Sequence, residues 1–213
     1  MQQSAAIAKT LPSIEELRRL TKSLAMLDAI ISPEWDYRYY SYNAKWAVGE
    51  EMASMRNGSG DDWFLLFDRH GAGLKGFAHE LRNAYDSAFP DLIRESLPPE
   101  LASFMNEPAF AMEQATFCIW RRHTDAVWNA VPAKEGMLEN GDDGSAEMLN
   151  ILDGQPKTYQ EWAEDYYEHE VDLSVVKAIY AHTPLTQDLV HQLNPDLTLA
   201  EAEEFAGEIG YPV

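Results

Sequence analysis

The sequence predicts an α+β protein in which an antiparallel β-meander packs against an N-terminal helix and a helical C-terminal third. Three observations predict it. A helix with both ends marked opens the chain, aromatic and β-branched runs broken by turn residues follow, and helical spacing with capping signals marks the rest. With 213 residues, 46% apolar and 24% charged, the chain is long enough to bury one substantial core. We expect a single unit over 1–213, with a helix at 13–31, a strand-rich part at 35–134 and a helical acidic part at 145–213.

The first helix rests on Ile14, Leu17, Leu20, Leu24, Leu27 and Ile31, which recur at three- and four-residue steps. Ser13 and Glu16 form an S-x-x-E capping box, and Pro33 stops the helix. From Trp35 the pattern changes. Tyr37 to Tyr42 reads as a strand, continued or partnered by Trp46-Ala47-Val48, and Asn57-Gly58-Ser59-Gly60 is a turn before the central strand Trp63 to Phe67. Residues Arg69 to Gly73 can turn the chain so that Leu74 to Phe77 returns antiparallel, and Thr116 to Arg121 supplies a further strand. Pro98 and Pro99 open a short helix through Phe104 that Pro108 limits. A loop follows from Glu135 to Gly144. Thr158 with Glu161 and Thr198 with Glu201 repeat the capping-box spacing, which predicts helices from Tyr159 and Leu199, and Asp172 is an N-cap between them.

The formal charge of −20 comes from 36 acidic against 16 basic side chains, and it argues against a general nucleic-acid or anionic-membrane binder. The excess is regional. Residues 1–134 carry 14 basic and 18 acidic side chains, whereas residues 135–213 carry two and 18. No apolar run reaches the length of a spanning helix, and the single cysteine, Cys118, sits in an apolar, strand-like setting that predicts a buried, inert thiol. Both fit a cytoplasmic protein.

Motifs narrow the chemistry mainly by failing their context. Gly71-Ala72-Gly73-Leu74-Lys75-Gly76 satisfies G-x-G-x-x-G, but the following residues read as strand, so a hairpin is expected in place of a phosphate loop. His79-Glu80 begins like H-E-x-x-H, yet position 83 is Asn83, which removes the second zinc ligand. The acidic loop lacks the spacing of a calcium-binding EF-hand. We therefore expect no metal and no cofactor. On the helix predicted from Tyr159, Asp165 and His169 share a face beside Glu168 and Glu170, and a solvated acidic surface is the simplest use for them.

The segments Gly71 to Glu80, Glu107 to Phe110, Thr116 to Arg121 and Glu161 to Glu168 resemble a group of bacterial cytosolic proteins of unknown function, which share a G-x-x-x-x-G-F-x-H-E strand end and a T-F-C-I-W-R segment. The resemblance implies a bacterial cytosolic protein and no activity. The residues themselves suggest a non-enzymatic binding protein, of the immunity or inhibitor kind, for a basic protein partner. Tyr37, Tyr39, Tyr40, Tyr42 and Trp46 would anchor that partner, and Asp142, Asp143, Asp165 and Glu168 would steer it. The alternative is a small-molecule enzyme with a polar site at the sheet edge, built from His79, Glu80 and Arg121 with Tyr40 nearby. Oligomeric state is not legible.

Overall fold

A computed structural model describes residues 2–84, 88–134 and 136–213, so Glu135, the first residue of the expected acidic loop, lies outside it. The chain runs α1 (Gln3–Ile7), α2 (Ile14–Ile31), β1 (Tyr40–Ala47), β2 (Glu50–Arg56), β3 (Asp62–Phe67), β4 (Gly71–Phe77), α3 (Phe89–Ser96), α4 (Ala102–Asn106), β5 (Phe117–Arg122), β6 (Asn129–Ala130), α5 (Ser145–Met148), α6 (Pro156–Tyr167), α7 (Leu173–Tyr180), α8 (Gln187–Leu193) and α9 (Leu199–Ile209). Short 3-10 turns fill several joints. The six strands form one antiparallel meander in chain order, and the α+β class is as the sequence predicts.

Strand alternation sorts the apolar side chains into two layers. Tyr40, Tyr42, Ala53, Met55, Trp63, Leu65, Phe67, Leu74, Phe117 and Ile119 face α2 and the C-terminal helices. Leu66, Cys118 and Met52 face the opposite way, where Phe89 and Ile93 of α3, Phe104 of α4 and Phe110 cover them. Both sides of Trp63 to Phe67 are therefore apolar because both are covered, as in a buried central strand. Each fully buried Leu or Phe contributes about 2 kcal/mol of transfer free energy.

Helix ends follow local chemistry. The Ser13–Glu16 box forms at α2 and the Thr198–Glu201 box at α9, while the Asp172 carboxylate accepts from Ser174 N at α7. The Thr158 box does not form. Pro156 occupies the first turn of α6, so the helix starts three residues earlier than predicted, and Thr158 Oγ1 donates instead to Asp153. At the other end Glu168 turns left-handed at φ 56°, which ends α6 at Tyr167 and removes His169 from any shared face with Asp165.

Three strand expectations need correction. Trp35–Tyr37 is a 3-10 turn, so β1 begins at Tyr40, and β2 over Glu50–Arg56 has no counterpart in the sequence reading. The Gly71–Gly73 stretch lies inside β4, and the chain turns at Asp68 to His70, where Asp68 Oδ1 accepts from His70 N and Gly71 N. The glycines of the G-x-G-x-x-G match serve packing. A Cβ on Gly73 would lie 2.5 Å from the Phe104 ring, and one on Gly76 would lie 2.0 Å from Phe117.

Candidate functional site

The turn between β2 and β3, Asn57 to Asp61, separates two clefts. Its geometry is set by Asn57, whose Oδ1 accepts from Ser59 N and Asp61 N, and whose Nδ2 donates to Asp61 Oδ2 at 2.7 Å. Asp61 Oδ1 in turn accepts from His79 N at 2.9 Å and meets His79 Nδ1 at 2.8 Å. Partial burial works against ionisation of Asp61, but the hydrogen bonds from His79 and Asn57 outweigh it and hold the carboxyl below its ordinary range. An ionised carboxylate only accepts, so His79 Nδ1 carries a proton and donates it towards Asp61 Oδ1.

On one side of the turn lies a cleft of about 420 Å³ lined by Asp61, His79, Glu80, Asp142 and Glu147, with Gln3, Leu81 and Met148 among the rest. No Lys or Arg is found among its described lining residues. The acidic loop is held against the strand end by Thr116, whose hydroxyl accepts from Ala78 N and donates to the Asp143 carbonyl. Close approach completes the wall. Gly144 sits so near Ala78 that a Cβ there would lie 2.5 Å from the alanine methyl.

The other side is aromatic. A cleft of about 490 Å³ is lined by Trp35, Tyr37, Tyr166, Tyr167, Arg38 and Arg56, with Gly58 of the turn at its edge. Trp35 is 51% exposed, Tyr37 69% and Tyr166 44%, and they are the exposed aromatic residues among those described. Arg56 stacks over Trp35 with 4.9 Å to the ring centroid. Arg38 is anchored by Ser32 O and Pro33 O and lies over Phe205. Behind the cleft, Tyr166 stacks on Trp162 and Tyr39 packs on both rings. Burial, then Tyr166 and the charges of Asp61 and Glu147, push the Tyr39 hydroxyl up to about 12, which places Tyr39 within the field of the acidic cleft.

The structure redistributes the expected site residues. His79, Glu80 and Asp142 share the acidic cleft, and Asp165 and Glu168 are exposed next to Tyr166 and Tyr167. Tyr37 reaches the aromatic cleft, whereas Tyr40 and Tyr42 are core residues and cannot anchor a partner, because strand alternation turns them towards α2. Trp46 stands apart, half-buried, donating Nε1–H to Glu107 and stacking on Phe110. Asp143 is buried and accepts from Ser4 N, Ser145 N and Ser145 Oγ, so it holds the loop in place and has no exposed charge with which to steer a partner. Arg121 does not join His79 and Glu80. It pairs with Ala72 in register, and five residues of strand, about 17 Å, separate Ala72 from Phe77.

Sequence reasoning missed Asp61, Glu147, Trp35 as a cleft residue and Asp28. The last had a readable signal, because Asp28 falls in phase with Leu17, Leu24 and Ile31 on the apolar stripe of α2. It is fully buried, accepting from Tyr39 N at 3.0 Å, Tyr40 N at 2.8 Å and the Tyr159 hydroxyl at 2.8 Å. Burial pushes its pKa up to about 7 against the opposing pull of those donors. The Tyr167 hydroxyl faces the same carboxyl without reaching hydrogen-bond geometry.

No protein family, curated protein or solved structure matches this chain. Among the described residues no helix is long and apolar enough to cross a membrane, and no group of three or more His, Cys, Asp or Glu side chains is placed to hold a metal ion. Cys118 is fully buried, and desolvation raises its thiol well above the ordinary range.

Proposed function

We propose that this protein is a non-enzymatic binding protein, of the immunity or inhibitor kind, for a basic protein partner in the bacterial cytoplasm. The observation that carries the reading is the concentration of the exposed aromatic residues Trp35, Tyr37 and Tyr166 in one cleft with two arginines. Trp, Tyr and Arg are the residues that dominate binding hot spots. Charge supplies the partner's sign. The acidic cleft adjoins across Gly58 and Ser59, and between Pro156 and Val213 a single ion pair, Lys157–Glu161, forms among the described residues. Glu203, Glu204 and Glu208 of α9 are exposed and form no ion pair among the described residues, so their charges attract cations at a distance.

The test is capture from bacterial lysate on immobilised protein, repeated with Trp35→Ala/Tyr37→Ala and at a salt concentration of about 0.5 M, where the Debye length falls to about 4 Å. The reading expects a basic protein held by the wild type at low salt, released at high salt and not held by the variant. Capture that ignores both the substitutions and the salt, or the absence of any basic protein among the captured set, overturns it.

A further inference from the structure

We infer that the cleft lined by Trp35, Tyr166, Arg38 and Arg56 receives a carboxylate side chain of the partner, set beside an apolar or aromatic residue, and the inference rests on the reading of the protein as a binder of a basic partner. The anchor then carries the opposite sign to the partner as a whole. The chain has 36 acidic side chains against 16 basic, yet neither Arg38 nor Arg56 forms an ion pair among the described residues, even though Asp36 lines the same cleft. Arg38 is half-buried. Its Nε and Nη2 donate to Ser32 O and Pro33 O, which leaves Nη1 without a hydrogen bond among the described residues. Burial lowers its pKa from the ordinary value, and the charges of Glu208 and Asp28 oppose that shift without cancelling it. A partly desolvated cation with no anion in contact is stabilised by a ligand that brings one.

Geometry selects the form of that anion. Arg56 holds its guanidinium over the Trp35 ring, 4.9 Å from the centroid, and its side chain makes no hydrogen bond among the described residues, so its N–H groups are uncommitted. A guanidinium pairs with a carboxylate through two parallel N–H···O bonds. Because cation and ring lie together, the anchor needs a carboxylate and apolar surface side by side. The exposed rings of Tyr37 and Tyr166 extend the apolar wall, and a cleft of about 490 Å³ holds a short acidic side chain with its neighbour. The borders then choose the position in the partner chain. The acidic cleft adjoins across Gly58 and Ser59, and Asp165 and Glu168 are exposed beside Tyr166 and Tyr167, so acids border the aromatic cleft at two places. An interior Asp or Glu brings basic residues on both sides of itself to meet them, whereas a chain end brings them on one.

The experiment uses the full chain and the peptide Lys-Glu-Trp-Lys, acetylated and amidated so that it has no terminal charge. Its comparator carries Gln in place of Glu, and a third peptide, the Gln sequence with a free C-terminal carboxylate, tests for a chain end. Binding is read from NMR shifts of the Trp35 indole N–H and of the Tyr37, Gly58 and Tyr166 amides. Saturable shifts centred on those groups are expected with the Glu peptide. Affinity should be at least about tenfold weaker for both Gln peptides, and weaker by a similar factor for the Glu peptide on Arg56→Gln. Arg56 is exposed, so the variant is expected to fold, and its amide spectrum checks that. Equal affinity for the two blocked peptides, unchanged binding to Arg56→Gln, or a free-ended peptide that binds as tightly as the Glu peptide overturns the inference. Partner capture separates the two proposals. If Trp35→Ala/Tyr37→Ala abolishes capture of a basic protein while the two blocked peptides bind alike, the carboxylate assignment falls and the binding reading stands. If the Glu peptide binds this cleft selectively but no basic protein is captured, the binding reading falls and the cleft's choice of a carboxylate stands.

Discussion

Two groups of aromatic residues lie within eight positions of each other and have opposite fates. Tyr40 and Tyr42 stand on β1 facing α2, at 4% and 3% exposure, whereas Trp35 and Tyr37 stand on a 3-10 turn facing solvent and line a cleft. Composition does not distinguish them. What does is the start of β1 at Tyr40, which is fixed from the neighbouring helix: Asp28 accepts the backbone N–H groups of Tyr39 and Tyr40 and pins the strand's first residues. The interior group is organised around a buried carboxyl and sets stability. The surface group makes few such commitments and faces solvent. One aromatic-rich segment supplies both the core and an exposed cleft, divided by a single structural boundary.

The strongest way to break that division is Tyr40→Ala, which opens a cavity between β1, Trp63 and Trp162 and should cost about 3–5 kcal/mol in denaturant unfolding. A cost below about 1 kcal/mol would mean that Tyr40 is not a core residue.

Asp28 sharpens the same contrast through pH. Its folded pKa of about 7 lies above the ordinary value of 3.8, so between those limits the native state binds more protons than the unfolded chain. Stability therefore falls as pH rises through that window, by up to about 1.4 kcal/mol per unit, and levels off above it. Asp28→Asn should flatten this slope in urea unfolding at pH 5, 6, 7 and 8. An unchanged slope in the variant would assign the titration to another group.

For the surface group the expectation inverts. Trp35→Ala or Tyr37→Ala should leave stability within about 0.5 kcal/mol, because each is more than half exposed, yet weaken partner binding by about 2 kcal/mol. A fall in melting temperature matching that of Tyr40→Ala would erase the distinction between the groups. The smallest effect belongs to the acidic rim: neutralising Asp165 or Glu168 singly should slow association about twofold at low salt and leave dissociation unchanged. Stopped-flow mixing at two ionic strengths checks this, and a change confined to dissociation would count against long-range steering.

Much of the fold was legible because it rests on local chemistry. The Ser13 and Thr198 boxes, the Asp172 cap and the alternation from Trp63 to Phe67 are each written in a few adjacent residues. The failures depend on partners distant in sequence. Glu50 to Arg56 carries two acids, Ser54 and only modest β-propensity, and becomes a strand because β1 and β3 pair with it on both sides. The site was legible only in pieces. His79 and Glu80 were found through a motif they fail to complete, but Asp61 lies 18 residues earlier and reaches His79 only through the β3–β4 pairing, in which Asp62 lies opposite Phe77. Arg121 was grouped with His79 as a polar residue near a strand end at the sheet edge, and the register places it at the far end of the β4–β5 pair.

The central claim is that the exposed aromatic cleft is where the basic partner is anchored. It is tested most directly by measuring one captured partner's affinity for wild type, for Trp35→Ala/Tyr37→Ala, and for Val48→Ala/Val127→Ala, which removes exposed apolar side chains lying outside that cleft. The account predicts a loss of about a hundredfold or more for the aromatic pair and no change for the valine pair. Equal affinities across all three proteins would contradict it.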